Sequence, residues 1–143
     1  DDPGLLEGAI EEFLRFDPAV IAFRRTATED VELGGKTIRA GDKVIMFYPA
    51  ANADENVFSE PDVFDITRQQ RGEDVRNLHR AFGVGEHFCL GSHLARLELK
   101  VIFEEILSRV RNPQPNGEIN WLRSNFIHGI KQMPIRFDVV EAG

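Results

Sequence analysis

A single cysteine, Cys89, stands in a chain of 143 residues. That scarcity excludes an intrachain disulfide framework and a zinc cluster built from several thiolates. Positive charge is also short: 17 Lys and Arg face 24 Asp and Glu, for a net charge of −7. Nucleic-acid binders ordinarily show the opposite balance, so that class of partner is set aside. No run of about 18 apolar residues occurs, so no membrane-spanning helix is expected. No charged-then-apolar leader opens the chain, and the expected compartment is the cytoplasm. The first residues are Asp1-Asp2-Pro3-Gly4 without Met, which reads as a boundary or a cut.

Two glycine patterns are likewise missing. Gly35-Lys36-Thr37 lacks the glycine that a phosphate loop needs five residues earlier, where Asp30 stands. Around Gly83 and Gly85 the dinucleotide pattern G-x-G-x-x-G fails because Phe88 takes the third glycine position. No internal repeat or low-complexity stretch appears. What is present suffices for one domain: 42% of the residues are hydrophobic, and the length supports a core.

Apolar residues Leu5, Leu6, Ala9, Ile10, Phe13 and Leu14 recur at helical spacing and predict a first helix with one apolar face. Asp17-Pro18 predicts its end, because the residue before proline avoids helical geometry. Residues 20 to 48 read as strands and turns. Val31-Glu32-Leu33, the turn Gly34-Gly35 and Thr37-Ile38-Arg39 make a hairpin, and Val44 to Tyr48 make an apolar strand. From Pro49 to Arg80 the chain is polar and irregular, with Arg71-Gly72-Glu73-Asp74 as an exposed tip. Leu94 to Val110 is apolar on nearly all sides and predicts a buried helix. His93, Arg96, Lys100 and Glu104 form its narrow polar stripe. The end of the chain alternates Ile135, Phe137 and Val139, as a strand does, with a turn at Gly129.

The cysteine lies in Phe82-Gly83-Val84-Gly85-Glu86-His87-Phe88-Cys89-Leu90-Gly91. Glycines on both sides let the backbone turn sharply and lie against something bulky. A thiol at the mouth of a helix meets free backbone N–H groups and the positive end of the dipole, which favour a thiolate. A lone intracellular cysteine is most often a core thiol, but the flanking glycines argue for presentation. Such a loop suits a proximal haem ligand.

This loop resembles the haem-binding signature of the cytochromes P450. Glu12-Phe13-Leu14-Arg15 is similar to the family's E-x-x-R. Phe64-Asp65-Ile66-Thr67-Arg68 resembles the meander that adds a second arginine. Phe23-Arg24-Arg25-Thr26-Ala27 and Gly41-Asp42-Lys43-Val44 resemble the strand region between them. The resemblance spans the chain and implies a mainly α fold with small β-sheets (α+β). It makes residues 1–143 the C-terminal, haem-ligand portion of a P450 domain, an incomplete domain. It implies haem b with Cys89 as metal ligand and with Phe82, Gly83, His87, Gly91 and Arg25 as cofactor-binding residues. His87 and Arg25 would donate to the propionates. Glu12, Arg15 and Arg68 form the implied structural triad. Val20, Ile21, Phe23, Phe126 and Ile127 would line the substrate pocket, with Phe126 and Ile127 in a hairpin whose tip enters it.

The implied reaction is a monooxygenation, inserting one oxygen atom from O₂ into a hydrophobic substrate. Segment Ser124 to Pro134 most resembles bacterial members acting on branched lipids and terpenes. Electrons would come from a ferredoxin or flavodoxin, with Arg96 and Lys100 as candidate contacts beside an intrahelical pairing with Glu104. The family's acid–alcohol pair lies on a helix not among these motifs, so no catalytic residue is expected within the chain. An N-terminal portion of the same protein, or a second copy, is the expected partner, and the chain by itself is expected to self-associate without turnover. Two other readings stand beside this one: a non-catalytic haem-binding fragment, and a structural metal site of His87, Cys89 and His93, with His79 as an optional further ligand. His79 is otherwise expected at the surface.

Overall fold

The computed structural model describes residues 2–140. A short 3-10 turn at Pro3–Leu5 leads into α1, Leu6–Phe16. The helix stops where the periodicity does: Asp17 leaves helical geometry, its N–H bonds the Phe13 carbonyl, and Pro18 follows. Strand β1 (Ala22–Thr26) pairs antiparallel with β4 (Lys43–Phe47), while β2 (Val31–Leu33) and β3 (Lys36–Ile38) form the hairpin between them. Its turn residues Gly34 and Gly35 have φ of 58° and 73°. Two left-handed residues in a row suit glycine and match the twist of the flanking strands.

The segment 49–80 is less irregular than its composition predicts. Tyr48 ends no strand but begins a short helix α2, Tyr48–Asn52, with Pro49 in its first turn. A second short helix, α3 (Val75–Leu78), is capped by Asp74, whose side chain accepts from the Asn77 N–H. Composition alone hides both, because each is about one turn long and has no room for a period. Glu73, expected on an exposed tip, instead turns inward and pairs with Arg68 at 3.2 Å.

After a 3-10 turn at Gly85–His87 comes α4, Ser92–Arg109. Val110 already belongs to β5 (Val110–Pro115), paired with β8 (Ile135–Val139), and β6 (Asn120–Trp121) pairs with β7 (Ile130–Gln132). The expected burial of the α4 segment does not occur among the described residues: Leu94, Leu97, Val101, Ile102, Ile106 and Leu107 are all exposed. Among the described residues, one side of α4 faces α1. There Phe103 stacks on Phe13 of α1, with centroids 5.1 Å apart.

The buried centre is consequently more ionic than oily. Its apolar members are Ala9, Ile10, Tyr48, Phe58 and Val75. Beside them lie Glu11, Glu12, Arg15, Asn52, Arg68, His79 and Ser92. Charged groups this deep persist only when paired and hydrogen-bonded. The arrangement of those pairs organises everything around α1.

Candidate functional site

Glu12 and Arg15 sit one helical turn apart on α1, so their side chains share a face. Arg15 engages the carboxylate with two nitrogens, Nε to Oε2 at 2.7 Å and Nη2 to Oε1 at 2.8 Å. Arg68 reaches the same carboxylate from the 49–80 segment, Nε to Oε1 at 3.1 Å, and the Asp65 N–H donates to Oε1 at 2.9 Å. Burial opposes ionisation of Glu12, but the hydrogen bonds from Arg15, Asp65 and Arg68 win and hold its pKa below the ordinary range. Most of the remaining guanidinium donors go to main-chain carbonyls, while Arg68 Nη1 also meets the Glu73 carboxylate. Arg15 donates to Asn52 and Pro61, and Arg68 to Ser59, Glu60 and Val63. Two arginines thus pin the loop through its backbone. Gly8 adds to the closeness, since a Cβ there would come within 3.1 Å of the Ile66 carbonyl.

Glu11, one residue earlier, carries a second cluster that the sequence reading does not contain. Arg96 of α4 grips it with Nε to Oε1 at 2.7 Å and Nη2 to Oε2 at 3.0 Å. His79 Nε2 lies 3.0 Å from Oε2, and Arg76 adds a contact at 3.3 Å. Burial raises the pKa of Glu11, yet the hydrogen bonds from His79 and Arg96 outweigh it and lower the value to about 2. Three expectations are corrected here. His79 is buried rather than at the surface. Arg96 pairs with Glu11 rather than Glu104, and its side chain is only 12% exposed. Lys100 pairs with Glu7 across the helices, at 3.1 Å. In each case the partner lies on α1, more than 60 positions away in sequence, which local spacing cannot reveal.

Asn52 ties the first cluster to the backbone next to His79. Its side-chain amide donates to the Arg15 carbonyl at 2.9 Å and accepts from the Arg80 N–H at 2.6 Å. The hydrogen bonds assign which end of the amide is which. No motif marks this residue; only its burial does.

The Cys89 loop hangs from this frame. The Cys89 N–H donates to the Phe82 carbonyl at 2.9 Å, closing the loop on itself. Gly83 and Gly85 have φ of 77° and 73°, and a Cβ on Gly83 would sit 3.1 Å from the Tyr48 hydroxyl. Only glycine fits Gly83 on both counts. Cys89, Leu90 and Phe88 are exposed, and Gly91 caps α4 two residues after the cysteine. A Cβ on Gly91 would approach the Cys89 sulfur to 3.9 Å. The ring of Phe82 faces inward, with the Arg96 guanidinium 4.7 Å from its centroid.

At one edge of the loop, His87 and Arg25 line a common cleft of about 320 Å³ with Met46, Tyr48 and Val84. Arg25 has no carboxylate partner among the described residues. Its guanidinium bonds only the Arg24 carbonyl, at 3.2 Å. The five apolar residues singled out in the sequence also come together. Val20 bridges Ile127, the Ile21 N–H donates to the Phe126 carbonyl at 2.9 Å, and Phe23 meets Phe126 edge-on at 5.4 Å. By contrast, His79 turns away to Glu11, and no group of three or more His, Cys, Asp or Glu among the described residues could hold a metal ion. The structural metal site of His87, Cys89 and His93 is thereby corrected: spacing in sequence does not make these side chains converge.

Comparison with known proteins agrees with this geometry. The family model for cytochrome P450 matches residues 4–130. Cytochrome P450-terp of a Pseudomonas species is 44% identical over 95% of this chain and 30% of its own length. A methyl-branched lipid omega-hydroxylase of Mycobacterium tuberculosis is 43% identical over 94% of this chain and 30% of its own length. The crystal structure of CYP108D1 from Novosphingobium aromaticivorans superposes with a TM-score of 0.87 at 43% identity, over 97% of this chain and 32% of that one. The chain belongs to the cytochrome P450 family and has the α+β fold of its C-terminal portion. It spans about 30% of the length of the curated relatives it matches. The family implies a haem whose iron is held by a cysteine thiolate.

Proposed function

We propose that this chain forms the haem-ligand side of a monooxygenase acting on a hydrophobic substrate, with Cys89 as the thiolate ligand. The observation that carries the reading is the exposed cysteine in a self-closed glycine loop at the start of α4. The residues present fit a haem. One thiol is offered on an open surface, flanked by Phe88 and Leu90, whose exposed apolar surface suits a porphyrin face. His87 and Arg25 stand together at one edge, where two propionates need donors, and Arg25 is free of competing carboxylates among the described residues. Bound haem would supply the iron centre at which dioxygen is activated and one oxygen atom passed to a C–H bond.

The work of this chain's own residues is to hold that group in place. Gly83 and Gly85 keep the loop low, the Phe82 carbonyl fixes the Cys89 N–H, and the Glu12 cluster anchors the segment behind it. Val20, Ile21, Phe23, Phe126 and Ile127 supply apolar surface for a substrate. Their character, and the hydroxylase of methyl-branched lipids among the relatives, support a branched lipid or terpene. Electrons would come from a ferredoxin or flavodoxin. Lys100, which stays exposed, remains a candidate contact, whereas Arg96 is engaged with Glu11. A cytoplasmic setting and completion of the domain by an N-terminal portion of the same protein belong to the same reading.

The test is spectroscopic. In a full-length protein carrying this chain, the reduced carbon monoxide complex is expected to show the red-shifted Soret band of thiolate ligation. Cys89→His is expected to move it to the position of histidine-ligated haem. An unchanged spectrum in the mutant removes Cys89 from the role.

A further inference from the structure

We propose that Glu11 is a positioning residue for the Cys89 loop, acting through the guanidinium of Arg96 on the ring of Phe82. The inference rests on the reading of Cys89 as haem ligand and adds to it a device that the loop motif does not contain.

Each link is a contact. Glu11 is 3% exposed and fixes Arg96 by two parallel hydrogen bonds. The guanidinium so oriented lies over the Phe82 ring at 4.7 Å, within cation–π range. The carbonyl of Phe82 accepts the Cys89 N–H. A second line runs from the same carboxylate. The Ala81 N–H donates to His79 Nδ1 at 3.2 Å, so the ring proton is on Nε2, which donates to Glu11 at 3.0 Å. Both lines end in adjacent residues at the root of the loop, Ala81 and Phe82. A stitch between α1 and α4 would need only opposite charges, as Glu7 and Lys100 provide. Here the fork and the plane of an arginine are both in use, the fork on Glu11 and the plane on Phe82.

The device has an electrical consequence. Glu11 neutralises Arg96 beside the ligand loop. Replacing it by Gln leaves that positive charge uncompensated, which favours the state carrying the extra electron. In the full-length, haem-loaded protein, Glu11→Gln is therefore expected to raise the haem reduction potential. The expected size is about three- to tenfold in the reduced-to-oxidised ratio, up to about 59 mV for one electron. In a Phe82→Leu background the through-space effect of the charge persists and the part carried by the Arg96–Phe82 contact is lost, so the Glu11→Gln shift should be measurably smaller. Arg96→Lys keeps the charge and removes the planar contact; it is expected to shift the potential with haem content retained.

The outcomes separate cleanly. A wild-type protein without a thiolate spectrum removes the ligand reading itself. A thiolate spectrum with an unmoved potential in Glu11→Gln overturns the present inference alone, as does a shift that persists undiminished in Phe82→Leu. Loss of haem in both Glu11→Gln and Arg96→Lys assigns the cluster to folding only and also overturns it.

Discussion

The Glu12 and Glu11 clusters grow from adjacent residues of α1, yet they are built differently. Around Glu12 the arginines spend most of their donors on backbone carbonyls of the 49–80 segment. Around Glu11 the partners are side chains, from α3, the following segment and α4. Neighbouring helical residues point about 100° apart, so one helix can address two regions at once. The first cluster holds a loop that lacks its own ladder of hydrogen bonds. The second joins elements already formed and meets the cysteine loop through Phe82. Backbone anchoring leaves more donors stranded when its centre is lost, so the two carboxylates should differ in what their removal does.

The largest expected effect follows directly. Glu12→Ala leaves Arg15 buried without its counter-charge and Arg68 with Glu73 alone, at a cost of about 3–5 kcal/mol. That is a large share of a typical stability of about 5–15 kcal/mol. We expect a full-length protein with this change to fail to take up haem. Normal haem content and an unchanged melting temperature would erase the contrast between the clusters.

Acid should act on the Glu11 side next. Its pKa of about 2 lies below the ordinary value of 4.5. A depressed carboxylate contributes stability that is complete above its unfolded pKa and lost as pH falls through the folded one. The window is therefore from about pH 4.5 down to about pH 2, and the contribution at neutral pH is roughly 3 kcal/mol. Glu12 titrates with the same sign, so the difference between wild type and Glu11→Gln isolates Glu11. Unfolding free energies of the two proteins should converge across that window. A gap that stays constant would show that Glu11 keeps no depressed pKa.

Asn52 tests whether the clusters are coupled. Asn52→Ala strands the Arg80 N–H and the Arg15 carbonyl, each at about 1–3 kcal/mol if wholly dry. Water can enter the space left behind, so we expect a loss near the lower end, measured by denaturant unfolding. We also expect a lower haem content, because Arg80 precedes the cysteine loop. Lost stability with full haem content would mean that the two regions stand independently. The smallest effect belongs to Lys100→Met. This exposed pair with Glu7 sits in solvent, where screening leaves little net gain. No measurable change in melting temperature is expected, and a clear drop would make the pair part of the frame.

Much of this was legible in the residues. The hairpin at Gly34-Gly35 and the end of α1 at Asp17-Pro18 follow from local chemistry, and the partners of Glu12 from the resemblance to the family's motifs. His79, Asn52 and the pairing of Arg96 were not legible, and the reason is common to them. A histidine near a polar loop and an arginine on a polar stripe have sequence surroundings typical of the surface. Their burial is created by the arrival of α1, whose Glu11 offers a carboxylate that no nearby residue supplies. The exposed faces of α4 teach the converse. Apolar content predicts a buried helix, but burial needs neighbours, and among the described residues α4 has them on one side only.

By itself the sequence determined where the chain turns, which thiol is offered, and which glycines let the loop lie low. Those properties depend on backbone sterics and on residues a few positions apart. Tertiary structure alone decided which charges are buried and with whom. An ion pair's strength depends on distance and on exclusion of water, and both are set only when α1, the 49–80 segment and α4 have packed together.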